Sequence, residues 1–316
     1  MGIYESVRAI AGTSGEGAID WQAVATAAKA AVEPGSLDLS GADRTGYADD
    51  VRDARNRVRA VSGVEFDLPN RIEVQNRHHW IDANIETFQR ALAPLDDRTT
   101  ALPGVARTVN SATMAITLSF FGNNVLGQYD PLLLGETDDH ALYFVHPNVV
   151  RTAESLEVDY PRFRRWIAFH EVAHAAEFGS APWLSEYLEE RMERGLEALA
   201  SGHLTNVPMT ELTTAMTAVE GYAELLMDRA FDDEYADLRE KVEARRRGGD
   251  PLTRLLRRLL GFGMKRRQYE RGKAFFDAVA DARGVPGAAV VWERSENLPT
   301  DDELEYPELW LDRVPE

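Results

Sequence analysis

Two histidines four residues apart, His170 and His174, stand in the order His-Glu-Val-Ala-His, with Glu171 beside the first. On an α-helix, positions four apart lie on one face, one turn above the other, so both imidazoles can converge on one metal ion. Glu171 projects to the side of that pair, where a carboxylate can take a proton from an attacking water. The chemistry served by this arrangement is metal-assisted hydrolysis. The 316-residue chain has no cysteine, so thiolate ligands and disulfides are excluded and the available donors are imidazole and carboxylate.

The flanking residues predict a helix. Asp159 suits the N-cap and Pro161 the first turn. Phe163, Trp166, Ile167, His170 and His174 follow one helical stripe, while Phe169, Val172, Ala173, Ala176 and Phe178 extend apolar character round the other sides. A helix apolar nearly all round belongs inside a core. Gly179 and Pro182 predict its end.

A catalytic zinc site usually has three protein ligands. The metzincin continuation needs Gly at 177 and His at 180; Glu177 and Ser180 exclude it. Glu177 shares the histidine face but lies about 5 Å further along the axis, an awkward reach for a ligand. A second helical segment, Thr213 to Ala230 (TTAMTAVEGYAELLMDRA), carries Glu220, Glu224 and Asp228 on one stripe among Met216, Val219, Ala223, Leu226 and Met227. Glu220 is the expected third ligand, as in gluzincins, and Glu224 the expected acceptor for one imidazole N–H. Asp228 is expected to pair with arginines such as Arg229. Tyr222, two residues from Glu220, is turned about 200° from the ligand face and carries little weight. The expected cofactor is one Zn2+.

Periodicity predicts a mainly α (α+β) protein with a short β element. Helices are expected at Trp21–Val32, Ala42–Val61, His79–Leu92, Val105–Leu126, Trp183–Leu199, Asp232–Arg247 and in a last long region to about Ala282. Strands are expected at Arg71–Gln75 and Ala141–Val145. Gly127 to Pro131 reads as a turn, and Ala288–Trp292 as extended. No linker divides the chain, so one domain, 1–316, is expected. It would have an N-terminal helical layer at about 1–100 and a metal-binding core at about 101–316. His78, His79, His140 and His203 have no ligand spacing and read as structural or exposed.

The formal net charge is −18, and lysine occurs only at 29, 241, 265 and 273. An acidic, lysine-poor surface suits solubility at high salt and reads as a haloarchaeal cytoplasmic signature. MGIYESVRAIAG lacks the basic start and apolar stretch of a leader, and Ala112–Phe121 is too short to span a bilayer. The basic residues between Arg245 and Arg267 are interrupted by Leu255, Leu256, Leu259 and Leu260. This is the pattern of an ion-paired outer helix face, and no nucleic-acid partner is expected.

The segments VLGQYDP, YFVHPN, FRRWIAFHEVAHAAEF, APWL, EGYAELLMD, KRRQYERGKAFFDAV and VWERSENLPT…YPELW, in this order, resemble the type-2 zincin family of metallopeptidases. Members are labelled deazaflavin coenzyme biosynthesis-associated in actinobacteria and haloarchaea. The similarity runs from about Trp21 to Trp310. The resemblance implies a zincin-like fold and a zinc held by His170, His174 and Glu220. Ala173, Glu177 and Tyr222 depart from the family's usual Thr, Gln and His. Zincins commonly run a strand along the cleft to pair with extended substrate; Tyr143, Phe144 and Val145 occupy that place in sequence, or form an ordinary core strand, and His146 could stabilise an oxyanion or equally be a hydrogen-bonded loop histidine. The function expected is a zinc-dependent hydrolase of gluzincin type, acting on a peptide or a small amide or ester. The alternative is a zincin scaffold that binds or regulates without proteolysis, linked to deazaflavin coenzyme metabolism.

Overall fold

The helix carrying the histidine pair runs through the centre of the larger of two apolar cores. A computed structural model describes residues 17–93, 103–130, 141–200, 207–231, 235–247 and 266–315. In chain order the elements begin with α1 (Trp21–Ala30), α2 (Gly41–Ser62), β1 (Arg71–Gln75), α3 (Arg77–Ala91), α4 (Pro103–Asn124), β2 (Gly127–Asp130) and β3 (Ala141–Val145). There follow α5 (His146–Ser155), α6 (Tyr160–Ser180), α7 (Leu184–Ala200), α8 (Val207–Ala230), α9 (Ala236–Arg247), α10 (Arg266–Ala289), α11 (Asp301–Glu305) and α12 (Pro307–Arg313). The protein is therefore mainly helical, with one small sheet.

Local chemistry sets the helix ends. Asp159 caps α6, its carboxylate accepting from the Arg162 amide at 3.1 Å, and Pro161 sits in the first turn. Ser40 and Asp43 form a reciprocal capping box at the start of α2. The sheet order is β1-β3-β2. β1 runs parallel to β3, with Arg71 opposite Ala141 and Gln75 opposite Val145. β2 is antiparallel to β3, with Gly127 opposite Phe144 and Asp130 opposite Ala141.

Two local expectations, at Gly127–Pro131 and at Ala288–Trp292, are corrected. Gly127–Asp130 is a strand and not a turn: its pairing with β3 continues from Leu126, whose carbonyl accepts from the Val145 amide at 2.9 Å. His146 opens a helix directly after β3, with Pro147 in the first turn. Ala288–Trp292 is not extended. α10 bends at Gly284 (φ 75°, ψ 168°) and passes into a 3-10 turn over Val290–Trp292. Burial of Val291 and Trp292 outweighs the strand preference of the two valines.

The larger core joins α2, α6, α8, α10 and the C-terminal helices around Phe163, Phe169, Val172, Leu225, Phe275 and Trp310. The smaller joins α1, α3 and α4 around Val24, Trp80, Ile81 and Leu118. Between distant parts of the chain, α2 packs with α6, and α4 packs with α1. At the crossing of α8 and α10 the backbones touch. A Cβ on Gly221 would lie 2.4 Å from the Gly272 carbonyl carbon, and one on Gly272 would lie 2.3 Å from the Thr217 carbonyl oxygen. Only glycine permits that approach, which seats the Glu220 helix in the core. Among the described residues no helix is long and apolar enough to cross a membrane.

Candidate metal centre

α6 supplies His170 and His174, and α8 supplies Glu220. One donor atom from each lies within 4.8 Å of the other two. The two imidazole Nε2 atoms are 3.3 Å apart, with the ring planes at 77°. α6 is fixed from behind by Ala168, Phe169, Val172 and Ala173, all fully buried, so the histidine face cannot rotate without emptying the core. The two histidines and Glu220 themselves are half-buried.

Glu171 is buried and lies against β2. Its Oε2 accepts from the Tyr129 amide at 2.9 Å. A Cβ on Gly127 would come within 2.6 Å of both Glu171 Cγ and Oε1, so the absent side chain is what makes room for the carboxylate. Burial pushes Glu171 up to about 7, and the Glu220 charge adds to this; His174 and the Tyr129 amide oppose it. A carboxyl poised near neutrality, oriented by a backbone donor, suits proton transfer. Sequence reasoning missed both Gly127 and Tyr129. The Gly and Asp-Pro signals around them mimic a turn, and a four-residue strand carries too little alternation to contradict it.

Glu177 is not placed as a ligand. Its Oε2 accepts from Nδ1 of His174 at 2.8 Å, in the role the sequence had suggested for Glu224. This hydrogen bond leaves Nε2 of His174 as the donor turned toward His170. Burial raises Glu177 to about 7, with His174 and the Ala223 amide opposing. Burial also opposes a charge on His174. The Glu177 charge and hydrogen bond, with Glu220 and Glu171 behind them, outweigh it and lift His174 to about 10. Glu224 lies half-buried one turn beyond Glu220 on α8. Asp228 pairs with Arg239, and with Lys273 at 2.8 Å; Arg229 faces Asp281 at 3.6 Å.

The expected substrate strand is corrected. Tyr143, Phe144 and Val145 belong to β3, the middle strand, whose two edges are taken by β1 and β2. All three residues are buried, so no main-chain edge remains there for an added strand. His146 stands in a different polar cluster, its Nδ1 within 3.2 Å of the hydroxyls of both Tyr47 and Tyr160. Tyr222 is buried against Phe276 and Trp292. His78 Nε2 meets the Val32 carbonyl at 2.6 Å and His79 is exposed. His140, His203 and most of the Arg245–Arg267 concentration lie outside the described residues, and so do the side chains of Arg245, Arg246, Arg247, Arg266 and Arg267.

Glu171, Glu177 and Glu220 thus surround two histidines. Both buried carboxyls shift up and His174 shifts up, each in the direction that reduces excess negative charge. A divalent cation would do the same, and a donor set of two imidazoles and one carboxylate fits zinc. The chain matches the family of zincin-like metallopeptidases over residues 19–208 and 204–311. It belongs to that family. Membership implies a zinc ion, and the residues present fit it. A crystal structure from Chloroflexus aurantiacus, described as "a putative hydrolase with a novel fold", is 31% identical, with a TM-score of 0.79 over 93% of this chain and 98% of that one. No curated protein matches the chain.

Proposed function

We propose that this zincin-like protein is a zinc-dependent peptidase, with His170, His174 and Glu220 as ligands and Glu171 as the general base. The observation that carries this reading is the convergence of three donor atoms within 4.8 Å beside a buried carboxylate held on β2. When bound, zinc supplies Lewis acidity, lowering the pKa of a water towards about 7 and polarising the scissile carbonyl. Glu171 accepts the proton of the attacking water and hands it to the departing amine. The Tyr129 amide keeps the carboxylate turned toward the site. Glu177 fixes the His174 tautomer. β2 is the outer strand of the described sheet and borders Glu171, so an extended peptide laid along it comes within reach of the base. Glu224, a turn beyond Glu220, serves His170 from the outer shell.

Elemental analysis of the purified chain should give about one zinc per chain. Incubation with a mixed peptide library, followed by mass spectrometry, should reveal cleavage that Glu171→Gln lowers by about 10²–10⁴-fold while retaining the zinc. A chain that takes up no zinc overturns the metal centre. Equal cleavage by parent and variant removes Glu171 from its role. Hydrolysis of small amides or esters alone would replace peptidase with amide or ester hydrolase.

A further inference from the structure

We propose that Gln128 is a positioning residue for the general base, acting on Glu171 through its two neighbours on β2. The inference rests on the zinc hydrolase reading above and extends it from the cradle of Glu171 to what holds that cradle. Side chains alternate along a strand. Gly127 and Tyr129 face α6: the first leaves room for the Glu171 carboxylate, and the ring of the second packs on Phe178 with centroids 5.5 Å apart. Gln128, between them, turns to the other side and meets α3. Its Oε1 accepts from Trp80 Nε1 at 2.7 Å, and its Nε2 donates to Asn84 Oδ1 at 2.9 Å. Asn84 Nδ2 closes the loop by donating to the Trp80 carbonyl at 2.9 Å. An indole N–H can only donate, so the orientation of the Gln128 amide is fixed. Trp80 belongs to the smaller core, and Trp80 and Asn84 are both 3% exposed.

β2 has only four residues, and among the described residues it pairs with β3 alone. The Val145 amide bonds the Leu126 carbonyl, so in the antiparallel alternation the main-chain groups of Gly127 and Tyr129 point away from β3. The Tyr129 amide that holds Glu171 therefore stands on the outer edge of the strand, where pairing with β3 does not fix it. The two Gln128 bonds supply that constraint. They hold β2 between α3 and α6, and they set its register: a slip of one residue would turn Gln128 toward α6 and Gly127 away from Glu171. The smaller core thereby sets the aim of a base that belongs to the larger one.

The test compares the parent with Gln128→Met, which keeps the length of the side chain and removes both hydrogen bonds, alone and in the Gly127→Ala background. Three quantities are read: hydrogen exchange of the Tyr129 amide by NMR in the metal-free chain, zinc affinity by chelator competition, and turnover of a peptide cleaved in the library. Gln128→Met should speed exchange at Tyr129 by about 10–100-fold, as befits a lost hydrogen bond to a carboxylate, while the amides of α6 keep their rates. Turnover should fall by about 10-fold, part of the roughly 100-fold cost of misplacing a catalytic group by about 1 Å. Zinc affinity should stay at the parent's value, because the ligands stand on α6 and α8. With Gly127→Ala the carboxylate is already displaced, so the same substitution should lower turnover no further. Unchanged exchange at Tyr129 overturns the proposal. So does an equal loss of turnover in both backgrounds, or a loss of zinc affinity, either of which would reflect general loosening of the fold. If Gln128→Met does not fold, Gln128→Glu, which still accepts from Trp80 but cannot donate to Asn84, carries the same comparison. A parent that binds no zinc or cleaves no peptide overturns instead the reading on which the proposal rests, and exchange at Tyr129 still tests the anchor.

Discussion

Two buried polar clusters share α6, and they balance charge in opposite ways. Near the start of the helix Arg164 donates to Asp50 at 2.6 Å, and both side chains are about nine-tenths buried. The guanidinium lies over the rings of Tyr47 and Tyr160, and the hydroxyls of those tyrosines meet His146. One cation faces one anion, and aromatic faces fill the remainder. Roughly 9 Å further along the same axis, six residues on, three carboxylates surround two histidines. The first cluster is complete as folded and ties α2 to α5 and α6. The second reaches neutrality only by taking up protons or a metal ion. Equal burial therefore does not mean equal role: the charge sum within each cluster separates a structural brace from a binding site.

Breaking one carboxylate in each cluster should separate them most sharply. Asp50→Ala leaves the Arg164 guanidinium buried and unpaired, so unfolding by denaturant should show a loss of about 3–5 kcal/mol, with zinc affinity of the folded protein unchanged. Glu220→Ala should do the reverse. It removes a ligand, so zinc affinity should fall by more than the roughly 100-fold that loss of an outer-shell partner costs. The metal-free chain should be no less stable than the parent, because one of three mutually repelling carboxylates is gone. A destabilised metal-free Glu220→Ala would show that this cluster is a brace as well.

A smaller effect is expected at β2. In Gly127→Ala the new methyl would sit 2.6 Å from Glu171 Oε1, so the carboxylate must swing away from the Tyr129 amide. Misplacement of a catalytic group by about 1 Å costs on the order of 10²-fold in rate. Turnover should drop by about 10–100-fold with zinc content intact. A variant with normal turnover would show that the cradle is dispensable.

The comparison also marks what the sequence revealed. The grouping of His170, His174 and Glu220 was legible because helical spacing converts directly into geometry: the two histidines share a face by arithmetic, and Glu220 stands on a second helix with an apolar flank. Two strands of chemistry-free sequence, Arg71–Gln75 and Ala141–Val145, were legible too, and fall at the bounds expected. Their order was not. A buried run such as ALYFV suits a central strand as well as a substrate-facing one, and only the pairing with β1 and β2 decides. The brace was invisible for a related reason. Asp50 and Arg164 are 114 residues apart, and nothing local in either segment announces the partner. Glu177 was weighed as a ligand because it shares the histidine face. Its true place depends on how far a glutamate side chain folds back along its own helix.

The smallest expected effect is a slope against pH, and its sign discriminates between the clusters. In the metal-free chain Glu171 and Glu177 are raised to about 7 from an ordinary 4.5. A carboxyl raised by folding contributes stability below its unfolded value and loses it as pH climbs through the folded one. His174, raised from 6.5 to about 10, likewise contributes fully below 6.5 and loses its share as pH rises towards 10. All three groups therefore act in one direction, and metal-free stability should fall steadily between about pH 5 and 9. Zinc binding runs the other way, because its ligands must be deprotonated, and it stabilises the native state by mass action. The rise in melting temperature produced by zinc should then be larger at pH 8 than at pH 5.5, while Asp50→Ala should retain that contrast and Glu220→Ala should lose it. A zinc-induced rise that is the same at both pH values would mean that the metal does not engage these groups.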